Sequence, residues 1–294
     1  MKILNIVFIL LVVSCGQQNE SKKNAIELTQ NPQTKADSIE TERLKKRKQI
    51  EEEDKLDSIR LEKVLKIAID SAYRRIVQDN FKTEFIIKCD TAFDVNVEIN
   101  LGYHFTNKHP HLFIRRVSPY AVLIDIYSKT DSTFINVLSH EQWTLTYVND
   151  TIRDINGDKI NDFVVNWYGA SGCCLKGFSN VYLLRTDKMS FSENFEFINP
   201  TFSPKEKLIR GICYGHPGET EMYKYKWHGE KIDTVEYVSY EKDSTNKNTG
   251  KIIISNNEPY SANYKILRKL RKIPSEYTKI EEFDWFTGNL NGNR

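Results

Sequence analysis

Residues 154–162, which read Asp-Ile-Asn-Gly-Asp-Lys-Ile-Asn-Asp, constrain the fold of this chain more than any other stretch. Oxygen-bearing side chains occupy the first, third, fifth and ninth positions of the segment: Asp154, Asn156, Asp158 and Asp162. Ile160, at the seventh position, adds a backbone carbonyl. Because Ca²⁺ takes about six to eight oxygen ligands, this spacing predicts a calcium loop.

The residues after the loop narrow this interpretation. Phe163 and Val164 open an apolar run directly behind it, which is typical of a β-strand. An EF-hand is excluded, because that motif needs flanking helices and a glutamate at the twelfth position, where this chain has Val165. The alternative to a metal site is a solvated turn between two strands, stabilised by its own Asp and Asn side chains.

The loop resembles the calcium loop of FG-GAP-type β-propeller repeats, usually written Asp-x-Asn-Gly-Asp-Gly-x-x-Asp and followed by an apolar strand. Four ligand positions of that family match: Asp154, Asn156, Asp158 and Asp162. Lys159 stands where the family has a glycine that relieves a sharp turn. The chain has one copy of the motif, whereas a propeller built from such repeats would show several.

The N-terminus has the features of a bacterial lipoprotein signal peptide. Residues 3–13 are almost wholly apolar, follow the positive charge of Lys2, and are too few to span a membrane as a helix. Val12-Val13-Ser14-Cys15 resembles a lipobox, which implies cleavage after residue 14 and lipidation of Cys15. The alternative is an ordinary signal peptide with an incidental cysteine. Because Gly16 and not aspartate follows, we expect an outer-membrane anchor. Because no cluster of Asp and Glu follows Cys15, we expect the protein to face the periplasm, with the cell surface as the alternative.

The remaining cysteines agree with an oxidising compartment, because Cys89, Cys173, Cys174 and Cys213 form an even set. A bond between the neighbours Cys173 and Cys174 is disfavoured, because adjacent Cα atoms lie only about 3.8 Å apart. Along a strand, these two side chains would also face opposite sides. We therefore expect Cys213 to pair with Cys173 or Cys174, and Cys89 has no assigned role. The C-x-x-C spacing of a redox site or zinc knuckle is absent.

Changes in composition divide the chain into five segments. They are a signal peptide (1–14), a polar flexible tether (15–40), a charged and then amphipathic helix (41–80), a β-rich calcium-binding domain (81–258) and a helical or irregular tail (259–294). The apolar stripe of the helix includes Val64, Ala68 and Ala72, and such stripes most often pack on their own domain. The tail contains a short basic segment, 264–272, that predicts a helix ended by Pro274.

The β-rich segment predicts a mainly β fold, because short strands recur at regular spacing between turns rich in Asn, Asp and Gly. The predicted strands are 84–89, 121–127, 142–148, 162–168, 179–186, 208–214, 221–227, 234–240 and 251–257. We expect an antiparallel meander that closes as a barrel or as a small propeller-like domain.

Residues 140–240 carry a second resemblance. After the calcium loop come Trp-Tyr-Gly-Ala-Ser-Gly at 167–172 and Tyr-Gly-His-Pro-Gly-Glu at 214–219. This order is similar to a family of bacterial periplasmic calcium-binding proteins. Its best-understood members are propeller-like immunity proteins that inhibit peptidoglycan-degrading effectors, as lysozyme inhibitors do. The resemblance implies a protein partner, a peptidoglycan hydrolase, in addition to the membrane that holds the lipid anchor.

An inhibitor of such an enzyme must place a loop in a cleft whose catalytic groups are carboxylates. The two glycine-rich loops offer five side chains that can meet carboxylates: Tyr168, Ser171, Lys176, Tyr214 and His216. The alternative is that both loops are ordinary hairpin turns. A second candidate function is a structural or scaffold lipoprotein that binds the wall or protein partners without inhibiting anything.

Other function classes have weaker support. His109-Pro110-His111 and His140-Glu141 lack a third ligand or an H-E-x-x-H motif nearby, so hydrogen-bonded histidines at strand ends are expected. Ser171 lies in Gly-Ala-Ser-Gly, which is not a nucleophile elbow. No catalytic constellation is therefore predicted. The net charge of +2, with no basic stripe, argues against a nucleic-acid partner.

Overall fold

The computed structural model describes residues 32–90 and 92–290, with side chains from residue 40 onward. The predicted signal peptide, Cys15 and most of the predicted tether lie outside the described residues. The chain divides into two compact units, one up to Leu56 and one from Asp57 onward.

Helix α1 extends over Pro32–Tyr73, so it begins inside the predicted tether and ends before residue 80. Residues 40–56 are exposed throughout, as their high charge indicates. In the second unit, Val64, Ala68 and Ala72 are buried at a spacing of four residues, and they pack against the first sheet. The expectation that the apolar stripe packs on its own domain is confirmed.

Fifteen strands follow in the described chain. Their bounds are β1 Phe81–Cys89, β2 Phe93–Gly102, β3 His111–Val117, β4 Ala121–Lys129, β5 Phe134–Trp143, β6 Tyr147–Arg153, β7 Asp162–Tyr168, β8 Gly177–Tyr182, β9 Phe195–Ile198, β10 Pro200–Ser203, β11 Leu208–Ile212, β12 Met222–His228, β13 Lys231–Lys242, β14 Asn248–Ser255 and β15 Ile266–Leu270. Helix α2, Phe283–Thr287, lies near the C-terminus.

The strands form three antiparallel sheets that are consecutive in sequence, so the fold is mainly β. The first sheet has the order β1-β2-β3-β4-β5, the second β6-β7-β8-β9 and the third β10-β11-β12-β13-β14-β15. No closed barrel occurs among the described residues, so the barrel, one of the two predicted arrangements, was wrong. The chain starts a new sheet after β5 and again after β9. Neither strand pairs with the first strand of its own sheet, so neither sheet closes on itself.

The three sheets pack face to face. Successive side chains of a strand point to opposite faces of its sheet, so one strand can contribute to two cores. In β3, Leu112 and Ile114 join the core under α1, whereas Phe113 joins the core shared with Phe163 and Val165 of β7. The other face of the second sheet packs on the third sheet in a core that contains Val164, Val181, Leu183, Ile209, Tyr223 and Trp227. The first and the second sheet thus each contribute to a core on both of their faces.

The C-terminal segment covers the outer face of the third sheet. Tyr277, Trp285 and Phe286 are buried in one core with Met222 and Val238. The Tyr277 hydroxyl also donates a hydrogen bond of 3.0 Å to the buried Glu236 carboxylate. This segment therefore completes the β domain beyond residue 258, where the sequence predicted a separate tail.

Two predicted elements were wrong. The predicted strand 142–148 contains the turn 144–146, where the chain passes from β5 to β6 and changes sheet. The predicted basic helix 264–272 is instead strand β15, which pairs with β14 at the edge of the third sheet. Pairing with β14 gives the backbone amide groups of this segment the hydrogen bonds that a short helix would otherwise provide.

Candidate functional site

The predicted calcium loop connects β6, which ends at Arg153, to β7, which begins at Asp162. Gly157 has a φ of +78° and Lys159 a φ of +72°, so the chain bends sharply at both positions. A side chain at Gly157 would meet the backbone carbonyl oxygen of Pro204 at 2.1 Å. The loop therefore lies tightly against the chain segment that follows β10.

Side-chain oxygens of the loop accept hydrogen bonds from its own backbone. Asp154 accepts from the amides of Gly157 at 2.7 Å and Lys159 at 3.0 Å. Asn156 accepts from the amide of Asp158 at 3.0 Å, and Asp158 accepts from that of Ile160 at 2.8 Å. These are the contacts of an Asx-rich turn.

Asp162 is fully buried, and its two carboxylate oxygens accept from the amides of Ile155 at 2.9 Å and Leu184 at 3.1 Å. Burial raises the pKa of Asp162 to about 7; the Asp158 and Asp154 carboxylates add to the rise, and the two amides oppose it. A buried carboxylate costs free energy when it ionises, unless a positive charge compensates it. With a pKa of about 7, the carboxyl group is partly protonated near neutral pH, and a cation bound beside it would favour its ionised form.

The donor set of the loop fits a hard cation in its chemistry. Carboxylate, amide and carbonyl oxygens are the ligands that Ca²⁺ prefers. In the described part of the chain, Asp154, Asp158 and Asp162 make no ion pair with a Lys, Arg or His side chain. The three carboxylates do not bring one oxygen each to within 4.8 Å of the other two. Binding would require these carboxylates to move closer together.

A second site forms where the two glycine-rich loops meet. We call loops 168–177 and 214–219 together the loop surface. The Lys176 ammonium lies 5.4 Å from the centre of the Tyr214 ring, and Cys173 Sγ lies 3.9 Å from His216 Nε2. Three of the five predicted partner-binding residues, Lys176, Tyr214 and His216, are therefore close together. Ser171 is exposed in the first loop.

Tyr168 has a different environment, although it was predicted with the same group. Its side chain is exposed and lines a groove with Asn149, Phe178 and Phe202, between the second sheet and the start of the third. Tyr168 is the last residue of β7, so it lies at the base of the first loop and not at the junction of the two loops.

Two residues that the sequence did not predict as part of a site support the loop surface through hydrogen bonds to its backbone. Asn199 is buried; its side chain accepts from the Gly177 amide at 2.8 Å and donates to the carbonyls of Leu175 at 3.3 Å and Ile212 at 3.0 Å. The Trp285 indole donates to the Gly215 carbonyl at 2.9 Å. No local pattern in the sequence indicates that either residue links the two loops.

The predicted disulfide of Cys213 with Cys173 or Cys174 is not formed, because all four described cysteines are free. Cys213 packs with the core between the second and third sheets, whereas Cys174 packs with the core on the outer face of the third sheet. Cys173 and Cys174 lie on a bend, not on a strand, so their sulfurs face each other at 2.9 Å. This contact raises the pKa of the Cys174 thiol.

The other histidines are hydrogen-bonded, as the sequence predicted. His109 Nε2 lies 2.6 Å from Ser128 Oγ, and His140 Nδ1 lies 2.8 Å from the Tyr182 hydroxyl. His111 Nε2 donates to the Lys188 carbonyl at 3.1 Å, and burial lowers the pKa of His111 to about 4. These imidazoles are part of the packing between strands.

The helices within the described ranges include none with both the length and the apolar character of a transmembrane segment. Comparisons of the chain with protein-family models, with curated proteins and with solved structures gave no match.

Proposed function

We propose that this chain is an envelope lipoprotein whose calcium-stabilised β domain binds a cell-wall hydrolase through the loop surface and inhibits it. The observation that supports binding is the convergence of two loops, distant in sequence, that present an ammonium, a phenol and an imidazole together. These groups complement the carboxylates of a glycosidase cleft. The resemblance of residues 140–240 to immunity proteins supplies the class of partner.

Calcium belongs to this proposal as a structural ion. Its ligands would be the side chains of Asp154, Asn156, Asp158 and Asp162 and the carbonyl of Ile160. When bound, it supplies positive charge beside the buried Asp162. The loop follows β6, and β7 leads directly into the loop that begins at residue 168. Fixing one end of β7 would therefore steady the stem of the loop surface at the other end.

The propeller-like arrangement is also part of the proposal. Three consecutive meander sheets that pack face to face resemble neighbouring blades of a propeller, which are built from antiparallel meanders. The lipid anchor at Cys15, in the outer membrane and facing the periplasm, rests on the lipobox. Cys15→Ser is expected to abolish palmitate incorporation and to release the protein from the membrane fraction, and unchanged labelling would contradict the anchor.

Inhibition can be measured directly. Detergent-solubilised full-length protein would be titrated into digests of purified sacculi by a muramidase, a lytic transglycosylase and an amidase, with turbidity as the readout. We expect slower digestion by at least one glycan-cleaving enzyme. Lys176→Glu should weaken that inhibition at least about tenfold, because it sets a carboxylate against the carboxylates of the cleft.

Lys231→Glu is the matched control, because Lys231 is an exposed lysine in the hairpin at the far end of β12. The same charge change at that position should leave inhibition unchanged. If native protein neither binds nor slows any of the three enzymes at micromolar concentration, the inhibitor proposal is wrong. If both lysine variants lose inhibition equally, the effect comes from net charge and the loop surface is not the contact.

The scaffold alternative is supported by the exposed helix segment 40–56, which contains many charged side chains and no buried residue. Seventeen helical residues extend over about 25 Å at 1.5 Å each, enough to act as a spacer. Sedimentation with purified sacculi distinguishes the two functions. Binding to sacculi without any effect on the hydrolases would favour the scaffold function.

A further inference from the structure

The junction of the two loops contains a group of soft metal ligands. One ligand atom each from Cys173, Cys174 and His216 lies within 4.8 Å of the other two, and no other described group of His, Cys, Asp or Glu side chains reaches this arrangement. Cys173 and His216 are exposed and Cys174 is buried. The group is therefore open to solvent on one side and supported by the core on the other.

The distances are close to those of a tetrahedral zinc site. With Zn–S bonds of about 2.3 Å and Zn–N bonds of about 2.0 Å, two sulfurs should be about 3.8 Å apart and sulfur and nitrogen about 3.6 Å apart. Cys173 Sγ and His216 Nε2 are separated by 3.9 Å, which fits. The two sulfurs are 2.9 Å apart and need to separate by roughly 0.9 Å, which a rotation of the exposed Cys173 side chain can provide.

The surroundings also favour a divalent ion. A divalent cation would displace the protons of both thiols, and its double charge would balance the two thiolates that result. The Trp285 indole fixes the Gly215 carbonyl, next to His216 in the chain.

We propose that Cys173, Cys174 and His216 bind one Zn²⁺ ion and leave its fourth coordination position open. Two thiolates and one imidazole are soft or borderline ligands, which select Zn²⁺ over hard cations. The site is separate from the calcium loop in residues and in ligand type. It stands independently of the proposed inhibition, since either can be present without the other. The ion would also cross-link two loops that lie 43 residues apart in sequence.

Cobalt substitution tests the proposal without any activity assay. Reduced full-length protein, held in detergent under argon, would be titrated with Co²⁺ and then with Zn²⁺. We expect one equivalent of Co²⁺ to give thiolate-to-metal charge-transfer bands and tetrahedral d–d bands. Zn²⁺ should erase these bands, whereas excess Ca²⁺ should not. Cys173→Ser and His216→Asn should each weaken binding by on the order of 100-fold or more.

The chain offers matched controls for both variants. Cys213→Ser removes a half-buried thiol outside the group, and His228→Asn removes an exposed imidazole that lies 3.2 Å from Asp233. Both should retain the cobalt spectrum. Melting curves without metal would show that Cys173→Ser and His216→Asn are folded. Absence of one-equivalent binding in the reduced native protein, or binding that survives in both ligand variants, would overturn the zinc site.

Discussion

The predicted calcium loop, residues 154–162, and the loop surface are both short stretches at the ends of strands, yet they are organised differently. The calcium loop takes all its candidate ligands from residues 154–162, and its hydrogen bonds run mostly within the same segment. The loop surface depends on two loops whose contacting side chains, such as Cys173 and His216, lie 43 residues apart. Its supports, Asn199 and Trp285, come from two further segments.

This difference predicts where mutations act. A change in the calcium loop disturbs a compact turn that leads from the edge strand β6 into the buried strand β7, so it should alter the free energy of unfolding. A change among the exposed side chains of the loop surface should alter binding and leave stability nearly constant. Only its buried supports should behave like the calcium loop.

The largest effect is expected for Gly157→Ala. The left-handed φ disfavours any side chain, and a Cβ would lie 2.1 Å from the Pro204 carbonyl oxygen. Strain and overpacking together should lower the free energy of unfolding by about 4 kcal/mol in urea denaturation. Gly250→Ala is the control, because Gly250 has a φ of +82° with nothing within 4 Å, so only strain applies. Equal losses in the two variants would contradict the tight contact.

Asn199→Ala tests whether a buried support of the loop surface behaves like the calcium loop. The variant removes three hydrogen bonds to backbone groups of Leu175, Gly177 and Ile212. At about 1 kcal/mol each, unfolding should become easier by about 3 kcal/mol. Asn246→Ala is the control, because Asn246 shares a positive φ but lies in an exposed turn. A loss no greater than that of the control would show that Asn199 does not hold the loops.

Asp158→Ala separates calcium binding from simple turn formation. Ca²⁺ at a hundred times its dissociation constant should stabilise the native protein by about 2.7 kcal/mol, and this response should disappear in the variant. Mg²⁺ should substitute poorly, because it requires a small octahedral shell. Asp187→Ala is the control, because Asp187 caps a similar turn through the amides of Met189 and Ser190. Melting curves that ignore both Ca²⁺ and chelator would leave only an Asx-rich turn.

Lys159→Gly should stabilise the protein by about 1 kcal/mol, because lysine is held in a left-handed conformation that glycine adopts freely. It should also tighten Ca²⁺ binding, because a positive charge leaves the loop. Lys188→Gly relieves a similar φ of 60° in another turn. The control should gain comparable stability in urea denaturation with no change of calcium affinity in calorimetry. Weaker calcium binding in Lys159→Gly would count against the site.

The smallest effect is expected for Lys176→Ala in the loop surface. Lys176 is half-buried, and its ammonium lies 5.4 Å from the centre of the Tyr214 ring, an interaction that contributes about 0.5–1 kcal/mol. Unfolding should therefore change little, in contrast with the calcium-loop variants. Lys231→Ala should be neutral in the same denaturation experiment. A loss above about 2 kcal/mol for Lys176→Ala would erase the contrast between the two regions.

Much of the fold was predictable because period-two patterns and turn residues are local. The strand predicted at 162–168 coincides with β7, and the apolar stripe through Val64, Ala68 and Ala72 packs as expected. The prediction failed where local pattern and tertiary context disagree. The segment that became β15 has a helical composition, and it is a strand only because the edge of β14 lies beside it.

The sequence by itself determined the turn at residues 154–162, because nine adjacent residues contain the turn formers, the candidate oxygen ligands and the start of the following strand. It also determined that the fold is mainly β. Only the tertiary structure decided that three meanders stack without closing a barrel, and that the thiols of Cys173 and Cys174 meet the imidazole of His216. Local spacing encodes local geometry, whereas contacts between distant loops depend on how sheets pack and on supports such as Asn199.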